Sequence, residues 1–315
     1  MASYIAKRLL AAIPVLFGLT IIVFLIMAMI PGDPATAILG SYATPENVAK
    51  LNRDLGLDKT LFEQYVIWIG NLFQGDLGRS YTLNRPVLDE VMERFSATLI
   101  LAGTSLILCS IFGLLAGIVS AVRQYGWADK IITLLVLIGI STPSFWLGLL
   151  LILVFAVNLR LFPASGMYAI YGGGDLPDLI HHLTLPALTL SVVATGVIAR
   201  LTRTAMLEVL RQDYIRTAQA KGAGPARLIG RHVLRNAMLP VITVLALDFG
   251  YLFSGALITE TMFAWPGMGK LVFDAVMGND FNLALIALLL ITFVTLAGNL
   301  LADLAYALLD PRIRT

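Results

Sequence analysis

The stretch Thr98–Val122, TLILAGTSLILCSIFGLLAGIVSAV, decides the fold, because it runs for 25 residues without a formal charge. A helix of that length rises about 37 Å at 1.5 Å per residue. That exceeds the roughly 30 Å of a bilayer's hydrocarbon core. In lipid each backbone N–H and C=O must find its partner within the segment, which selects the helix. Five more segments have the same character. Leu9–Ile30 is uncharged. Ile131–Val157 is uncharged too, but Pro143 in Ser141-Thr142-Pro143-Ser144 predicts a kink or a break. Leu183–Ala199 is short and extends through Arg200 by snorkelling. Ala237–Thr259 carries one acid, Asp248, and Phe281–Ala302 ends against Asp303. The sequence therefore predicts an all-α, polytopic membrane protein with six transmembrane helices.

Composition agrees. Of 315 residues, 58% are hydrophobic and 13% charged, with a mean hydropathy of +0.85. Soluble proteins carry about 25% charged residues, so a soluble core could not hide this much apolar surface. A net charge of +2 argues against a general nucleic-acid binder. The single cysteine, Cys109, excludes an intrachain disulfide and a cysteine metal cluster, and reads as packing. The first apolar stretch follows Lys7 and Arg8, but its 22 residues exceed the 7–15 of a signal-peptide core. It reads as an uncleaved helix.

Lys and Arg set the orientation. With the amino terminus inside, six spans return the carboxyl terminus inside. The inside segments then hold 14 basic and 4 acidic residues, the outside segments 8 basic and 14 acidic. The opposite orientation would put the strongest basic cluster, Arg200–Arg235, outside. Both termini therefore belong in the cytoplasm.

Two polar segments stand out. In the outside loop from Pro31 to Ala97, Thr44-Pro45-Glu46 is a helix start. Val48, Leu51 and Leu55 follow on one face, and Gly56 ends that helix. A second amphipathic stretch carries Leu61, Tyr65, Trp68 and Leu72 and ends at Gly75. Its apolar face rests on the membrane surface or on the other spans. The inside loop from Leu201 to Met238 reads as two helices. Asp213 caps the first, which runs through Lys221; Gly222-Ala223-Gly224 breaks it; Pro225 opens the second, with Leu228, Ile229, His232 and Val233. The orientation rule alone explains the basic charge. It does not explain the small residues Ala218, Ala220, Gly222, Ala223 and Gly224, which permit close approach of another protein's backbone. The loop is the candidate docking site.

Other motifs carry less. Pro266-Gly267-Met268-Gly269-Lys270-Leu271 fails as a phosphate loop, since that motif needs Ser or Thr after the lysine. His181 and His182 are adjacent on a helix, so they point apart and make poor joint metal ligands, which favour i, i+4 spacing. No carboxylate pair or Ser/His/Asp set reads as catalytic. Gly113-x-x-x-Gly117 suits close helix packing. Asp248 either faces a polar cavity or makes a structural hydrogen bond. With Ser141 and Pro143 at the expected break, it is the candidate for a translocation path.

Several stretches together resemble the inner-membrane permeases of ABC importers for dipeptides, oligopeptides, glutathione and nickel. They are Ile30-Pro31-Gly32-Asp33-Pro34-Ala35, Leu55-Gly56-Leu57-Asp58, Gly75-Asp76-Leu77-Gly78 and Arg85-Pro86-Val87. The inside loop adds Asp213-Tyr214-Ile215-Arg216-Thr217-Ala218-Gln219-Ala220-Lys221-Gly222, then His232-Val233-Leu234-Arg235-Asn236-Ala237 and Leu239-Pro240. Phe263-Ala264-Trp265-Pro266-Gly267-Met268-Gly269 and the tail Leu309-Asp310-Pro311-Arg312-Ile313-Arg314 complete the likeness. The inside loop looks like that superfamily's EAA loop. Gly222 and Ala218 match its consensus, while Arg216 and Thr217 replace the expected Glu and Ala.

The resemblance implies a type I ABC importer permease fold in a bacterial inner membrane. It divides the chain into an amino-terminal helix with its outside loop (1–93), a permease domain of five helices (94–304) and a cytoplasmic tail (305–315). A second homologous permease completes the pore, two cytoplasmic ABC ATPases drive it, and an extracytoplasmic substrate-binding protein delivers the solute. The chain itself binds no cofactor and hydrolyses nothing; ATP and Mg sit on the ATPases. Coupling falls to Asp213, Thr217, Ala218, Ala220, Lys221, Gly222, Ala223, Gly224 and Arg227. Peptides are the first expected cargo, then glutathione, then nickel, for which no ligand cluster exists. The rivals are a proton-coupled secondary transporter, for which only Asp248 is a midplane acid, a membrane-embedded enzyme and a passive channel.

Overall fold

The computed structural model of the chain describes residues 2–29, 34–54 and 56–309. The motif residues Ile30 to Asp33, Leu55 and Asp310 to Arg314 lie outside the described residues. Most of the rest is helical. In order come α1 (Ala2–Met29), α2 (Pro34–Leu39), α3 (Pro45–Asp54), α4 (Leu61–Phe73), α5 (Val87–Val122), α6 (Trp127–Ser141) and α7 (Ser144–Leu151). After a π-helical turn at Ile152–Asn158 follow α8 (Leu176–Leu210), α9 (Asp213–Ala220) and the short α10 (Pro225–Arg227). A second π-turn, Leu228–Leu234, leads into α11 (Arg235–Gly255), then α12 (Leu257–Met262), α13 (Met268–Met277) and α14 (Phe281–Leu309).

Among the described residues each of the six apolar segments is largely helical. Val87–Val122, Leu176–Leu210, Pro225–Asp248 and Phe281–Leu300 are long and apolar enough to cross a bilayer. Trp127–Ser141 and Ser144–Asn158 pass the same test as a pair bent by 105°. Pro143 is the cause. Its ring excludes a helical Thr142, which is extended at ψ 124°, and Pro143 then caps α7. Residues 9–29 of the first segment lie in α1, where Leu10–Ile26 is the described apolar stretch.

Three boundaries depart from the sequence reading. The fourth helix runs from Leu176 to Leu210 rather than over Leu183–Ala199, a length of about 52 Å. Asp175 caps its start by accepting the Asp178 N–H at 3.0 Å. Arg203 therefore stands on a helix, not in a loop. Gln212, not Asp213, is the N-cap of α9, and Asp213 supplies first-turn charge instead. The helix that Pro225 opens also runs on into the fifth span through the π-turn without a separating loop.

Contacts separate two compact units. One comprises Met1–Ile5, Leu99–Trp265 and Thr295–Thr315. Its central element is α8, whose apolar window is 61% buried, against 22–33% for the other long spans. The Gly113-x-x-x-Gly117 pattern is the contact of α5 with α8. A Cβ on Gly117 would lie 2.7 Å from the Ala199 carbonyl oxygen and 2.5 Å from Thr202 Cβ. One on Gly113 would lie 2.8 Å from Ile198 Cβ. Only glycine permits that approach. Gly117→Leu is therefore expected to destabilise the chain by at least the ~1–3 kcal/mol of overpacking, read as earlier thermal unfolding in detergent. Gly103→Leu, also on α5 but with open space at its Cβ, is the mild control.

The other unit comprises Ala6–Thr98 and Pro266–Val294. The apolar face of α4 rests on a span rather than on lipid alone. Tyr65 and Trp68 stack against Phe24 with centroids 5.4 and 5.9 Å away, and Tyr65 shares a 2.8 Å hydrogen bond with Thr20. Thr60 and Glu63 form a capping box at the start of α4. Its opposite side, with Phe62 and Phe73, is exposed. Asp280 is wholly buried and accepts hydrogen bonds from Ser80 Oγ at 2.5 Å, Thr82 N at 3.0 Å and Thr82 Oγ1 at 2.9 Å. It anchors the tight turn between Arg79 and Pro86.

Candidate functional site

The inside loop is built on a helix ending that glycine makes possible. Lys221 is the C-cap of α9, and Gly222 follows at φ +82°. The Gly222 N–H donates to the Gln219 carbonyl at 2.9 Å and the Ala223 N–H to the Ala218 carbonyl at 3.2 Å. This pair of bonds is a Schellman motif, with glycine at the left-handed position after the cap. Nothing lies within 4 Å of where a Gly222 Cβ would stand. The constraint at this position is backbone conformation, not space.

The loop then folds onto its own chain. Ile215, Leu228, Val233 and Ala237 are buried with Met206, Ala205 and Ala121, and Ala218 and Ala223 pack half-buried against them. Asn236 Nδ2 donates to the Tyr214 hydroxyl at 3.1 Å and to the His232 carbonyl at 2.8 Å, tying α9 to the start of α11. The smallness of Ala218 and Ala223 thus serves packing within the chain. Asp213, Thr217, Ala220, Lys221, Gly222, Gly224 and Arg227 are exposed, beside Arg216, Arg231 and Arg235. That outward face is basic, nearly free of bulky apolar side chains, and shaped by two helix ends. It can present a rigid, positively charged corner to another protein.

The sequence gives no sign of the cluster just above the loop. Asp129 on α6, with a side chain 6% exposed, receives a bidentate grip from Arg203 on α8, Nε to Oδ1 and Nη2 to Oδ2 both at 2.9 Å. Ser120 on α5 donates to the same carboxylate, and the Tyr125 N–H reaches Oδ2 at 2.9 Å. Three helices meet at one charge. Asp129 and Arg203 lie 74 positions apart, and each reads as an ordinary loop charge.

The candidate path residues are not gathered into one site. Ser141 and Pro143 are exposed at the 105° break. Asp248 is half-buried on α11, and its Oδ2 is buried without a hydrogen-bond partner among the described residues. Cys109 is buried with Ala194, Ile198 and Val241, and donates to the Leu106 carbonyl at 3.2 Å.

Two weaker motifs are accounted for by local contacts. In the glycine-rich stretch before α13, the Met268 N–H donates to Thr98 Oγ1 at 2.7 Å and Lys270 pairs with Asp274 at 2.6 Å. Both groups that a phosphate loop would aim at a nucleotide are engaged within the chain. His181 Nε2 bonds the Leu161 carbonyl at 2.7 Å, and His182 Nδ1 lies 3.1 Å from Asp178. Among the described residues no group of three His, Cys, Asp or Glu could hold a metal ion.

Residues 113–315 match the family described as binding-protein-dependent transport system inner membrane component. Residues 1–102 match the model of that system's membrane component, N-terminal part. The chain is 41% identical to the di/tripeptide transport system permease protein DppB of Pseudomonas aeruginosa, over 100% of this chain and 99% of that one. It is 40% identical to the dipeptide transport system permease protein DppB of Alkalihalophilus pseudofirmus, over the whole of both. It is 41% identical to the glutathione transport system permease protein GsiC of Escherichia coli K12, over 100% of this chain and 99% of that protein. Among solved structures it resembles a chain of the inward-facing MetNI methionine ABC transporter, with a TM-score of 0.59 at 18% identity, covering 71% of this chain and 98% of that one. That last likeness is one of fold.

Proposed function

The chain belongs to the binding-protein-dependent transport system inner membrane components, and on that premise we propose that it forms half of the path by which an ATP-driven importer takes up short peptides. A permease of this family is a transport subunit; ATP hydrolysis resides on a separate subunit. The observation that carries the peptide assignment is identity of 40–41% from end to end with permeases named for dipeptides, di/tripeptides and glutathione. Glutathione is itself a tripeptide-like solute, so one substrate class spans these names.

The finer arrangement is our reading. A second, homologous permease completes the pore, two ATPases holding ATP and Mg dock beneath it, and a binding protein delivers the peptide from outside. The exposed corner formed by Asp213, Thr217, Ala220, Lys221, Gly222, Gly224 and Arg227 contacts an ATPase. Its support is the loop's rigid packing on α8 and α11, because a coupling element must transmit displacement rather than absorb it. ATP-driven closure of the ATPases acts through this corner on the spans, and differential contacts in the two states shift the pore outward.

Asp248 belongs to the path in this reading, supported by its carboxylate oxygen without a hydrogen-bond partner among the described residues. Asp248→Asn is expected to leave assembly and yield normal while altering transport. Loss of yield would instead make Asp248 structural. The cytoplasmic assignment of the loop and both termini rests on the basic asymmetry. With Cys109→Ala in place, Lys59→Cys is expected to react with an impermeant thiol reagent on whole cells and Gly230→Cys to stay unlabelled. The reverse pattern would invert the topology.

The function itself is tested in proteoliposomes holding the complete transporter, with the binding protein added outside. Labelled dipeptide should accumulate with ATP and not with a non-hydrolysable analogue. Uptake of nickel but no peptide would reassign the cargo. Uptake that survives loss of the ATPases and collapses with the proton gradient would establish a secondary transporter.

A further inference from the structure

A cavity of about 310 Å³ opens between α6 and α8, lined by Thr133, Arg200, Arg203 and Thr204 with apolar walls from Val136, Leu137 and Ile140. Its two guanidinium groups are not equivalent. Arg203 is held by Asp129, so that pair contributes no net charge. Arg200 is exposed and makes no ion pair among the described residues. The cavity therefore carries one uncompensated positive charge at the edge of an apolar wall.

Its position relative to a bilayer can be read from α6. The helix begins at Trp127, which is 79% exposed, next to Tyr125 at 76%. Exposed Trp and Tyr at a span's end mark the membrane–water interface. Lys130 lies over the Trp127 ring at 5.1 Å, so the two side chains share that level. Further along α6, Leu134, Leu137 and Ile138 are 53–60% exposed and continue the apolar wall away from the interface. Thr133 stands between these zones. Thr204 lies one turn along α8 from Arg200, toward the end that carries the basic loop. The Arg200 side chain is long enough to snorkel toward that level.

We propose that this cavity binds the headgroup of an anionic phospholipid. The phosphodiester pairs with Arg200, while the neighbouring Thr204 and Thr133 hydroxyls donate to the Arg200 carbonyl at 3.0 Å and to Asp129 Oδ1 at 3.4 Å, and the acyl chains lie along Val136, Leu137 and Ile140. One free cation matches one phosphodiester charge, and basic pockets between spans near a membrane surface recognise such headgroups. The lipid also bridges α6 and α8 beside the Asp129–Arg203 pair, so it braces the point where the long helices leave the bilayer.

The test is native mass spectrometry of the complete purified transporter from micelles containing equal phosphatidylglycerol and phosphatidylcholine. The wild type is expected to retain phosphatidylglycerol with about fivefold preference, the effect of one basic group at a membrane surface. Arg200→Gln should abolish that preference, and Arg200→Lys should keep part of it. Arg231→Gln, exposed on the loop, should leave it unchanged. Lack of preference in the wild type, or its survival in Arg200→Gln, overturns the site. Displacement of the lipid by soluble glycerol phosphate would make this a site for free phosphate esters instead. If Arg200→Gln separates the two permeases while lipid retention is unchanged, the cavity is a subunit contact and the proposal fails.

Discussion

In a transporter carrying Gly222→Val, ATP-driven uptake is expected to fall to background while the chain still reaches the membrane at normal levels. Gly222 stands at φ +82°, and two hydrogen bonds close α9 there. A β-branched residue in the left-handed region costs about 1–2 kcal/mol, and no neighbour is near enough to clash. The strain is thus confined to the end of α9. The spans are untouched, while α9 frays or its corner shifts, and the added side chain projects from the exposed face. Ala220→Arg, also on that face, should act through bulk and charge without backbone strain. It is a better probe than Ala218→Arg, because Ala218 packs against the chain's own core. Gly230→Ala is the control, exposed with open space at its Cβ. Co-purification of the ATPases and peptide-stimulated ATP hydrolysis are the readouts. If Gly222→Val and Ala220→Arg both keep their partners and normal coupled hydrolysis, the corner is not the coupling site.

Removing one partner of the ion pair above the loop should give the largest loss of stability. Asp129→Ala strips Arg203 of the salt bridge that holds it and leaves the Ser120 hydroxyl and Tyr125 N–H without their acceptor. Breaking a buried pair from one side costs about 3–5 kcal/mol. The Arg203 side chain is 29% exposed and can turn toward water, so the lower end of that range applies. Thermal unfolding in detergent should show a large drop for Asp129→Ala and a smaller additional one for the Asp129→Ala, Arg203→Ala double variant. Strict additivity of the two single losses would mean that the pair is not coupled. Because Asp129 is shielded, raising salt should weaken the pair little.

The spans were legible because lipid imposes a length and a composition that few other environments demand. Pro143 gave away the break for a similar reason: its ring acts locally, whatever surrounds it. Gly222 was readable as a helix stop from its place after Ala220-Lys221. The true length of α8 was not. Apolar counting ends at Arg200, but the helix continues wherever its backbone bonds and one buried face continue, and Thr202, Ala205 and Met206 supply that face. The Asp129–Arg203 pair depends on which helices become neighbours, information that neither residue's local surroundings contain. Ala218 and Ala223 show a further ambiguity. Small residues permit close approach, but the sequence does not say whether the approaching backbone belongs to a partner or to the same chain. Function was legible only through the likeness of many short motifs to a known family.

The length of α8 has a mechanical consequence. Pro186 lies inside the helix and cannot donate to the His182 carbonyl, so the hydrogen-bond ladder is interrupted at that point. The 24 residues from Ala187 to Leu210 form an arm of about 36 Å beyond it. Pivoting that arm by about 10° sweeps its far end through roughly 6 Å, close to one helical pitch. Gly113 and Gly117 pack α5 against the middle of the same arm. Leverage of this kind would turn a rotation too small to disturb packing near the pivot into a displacement of about one helical pitch at the turn where α9 begins.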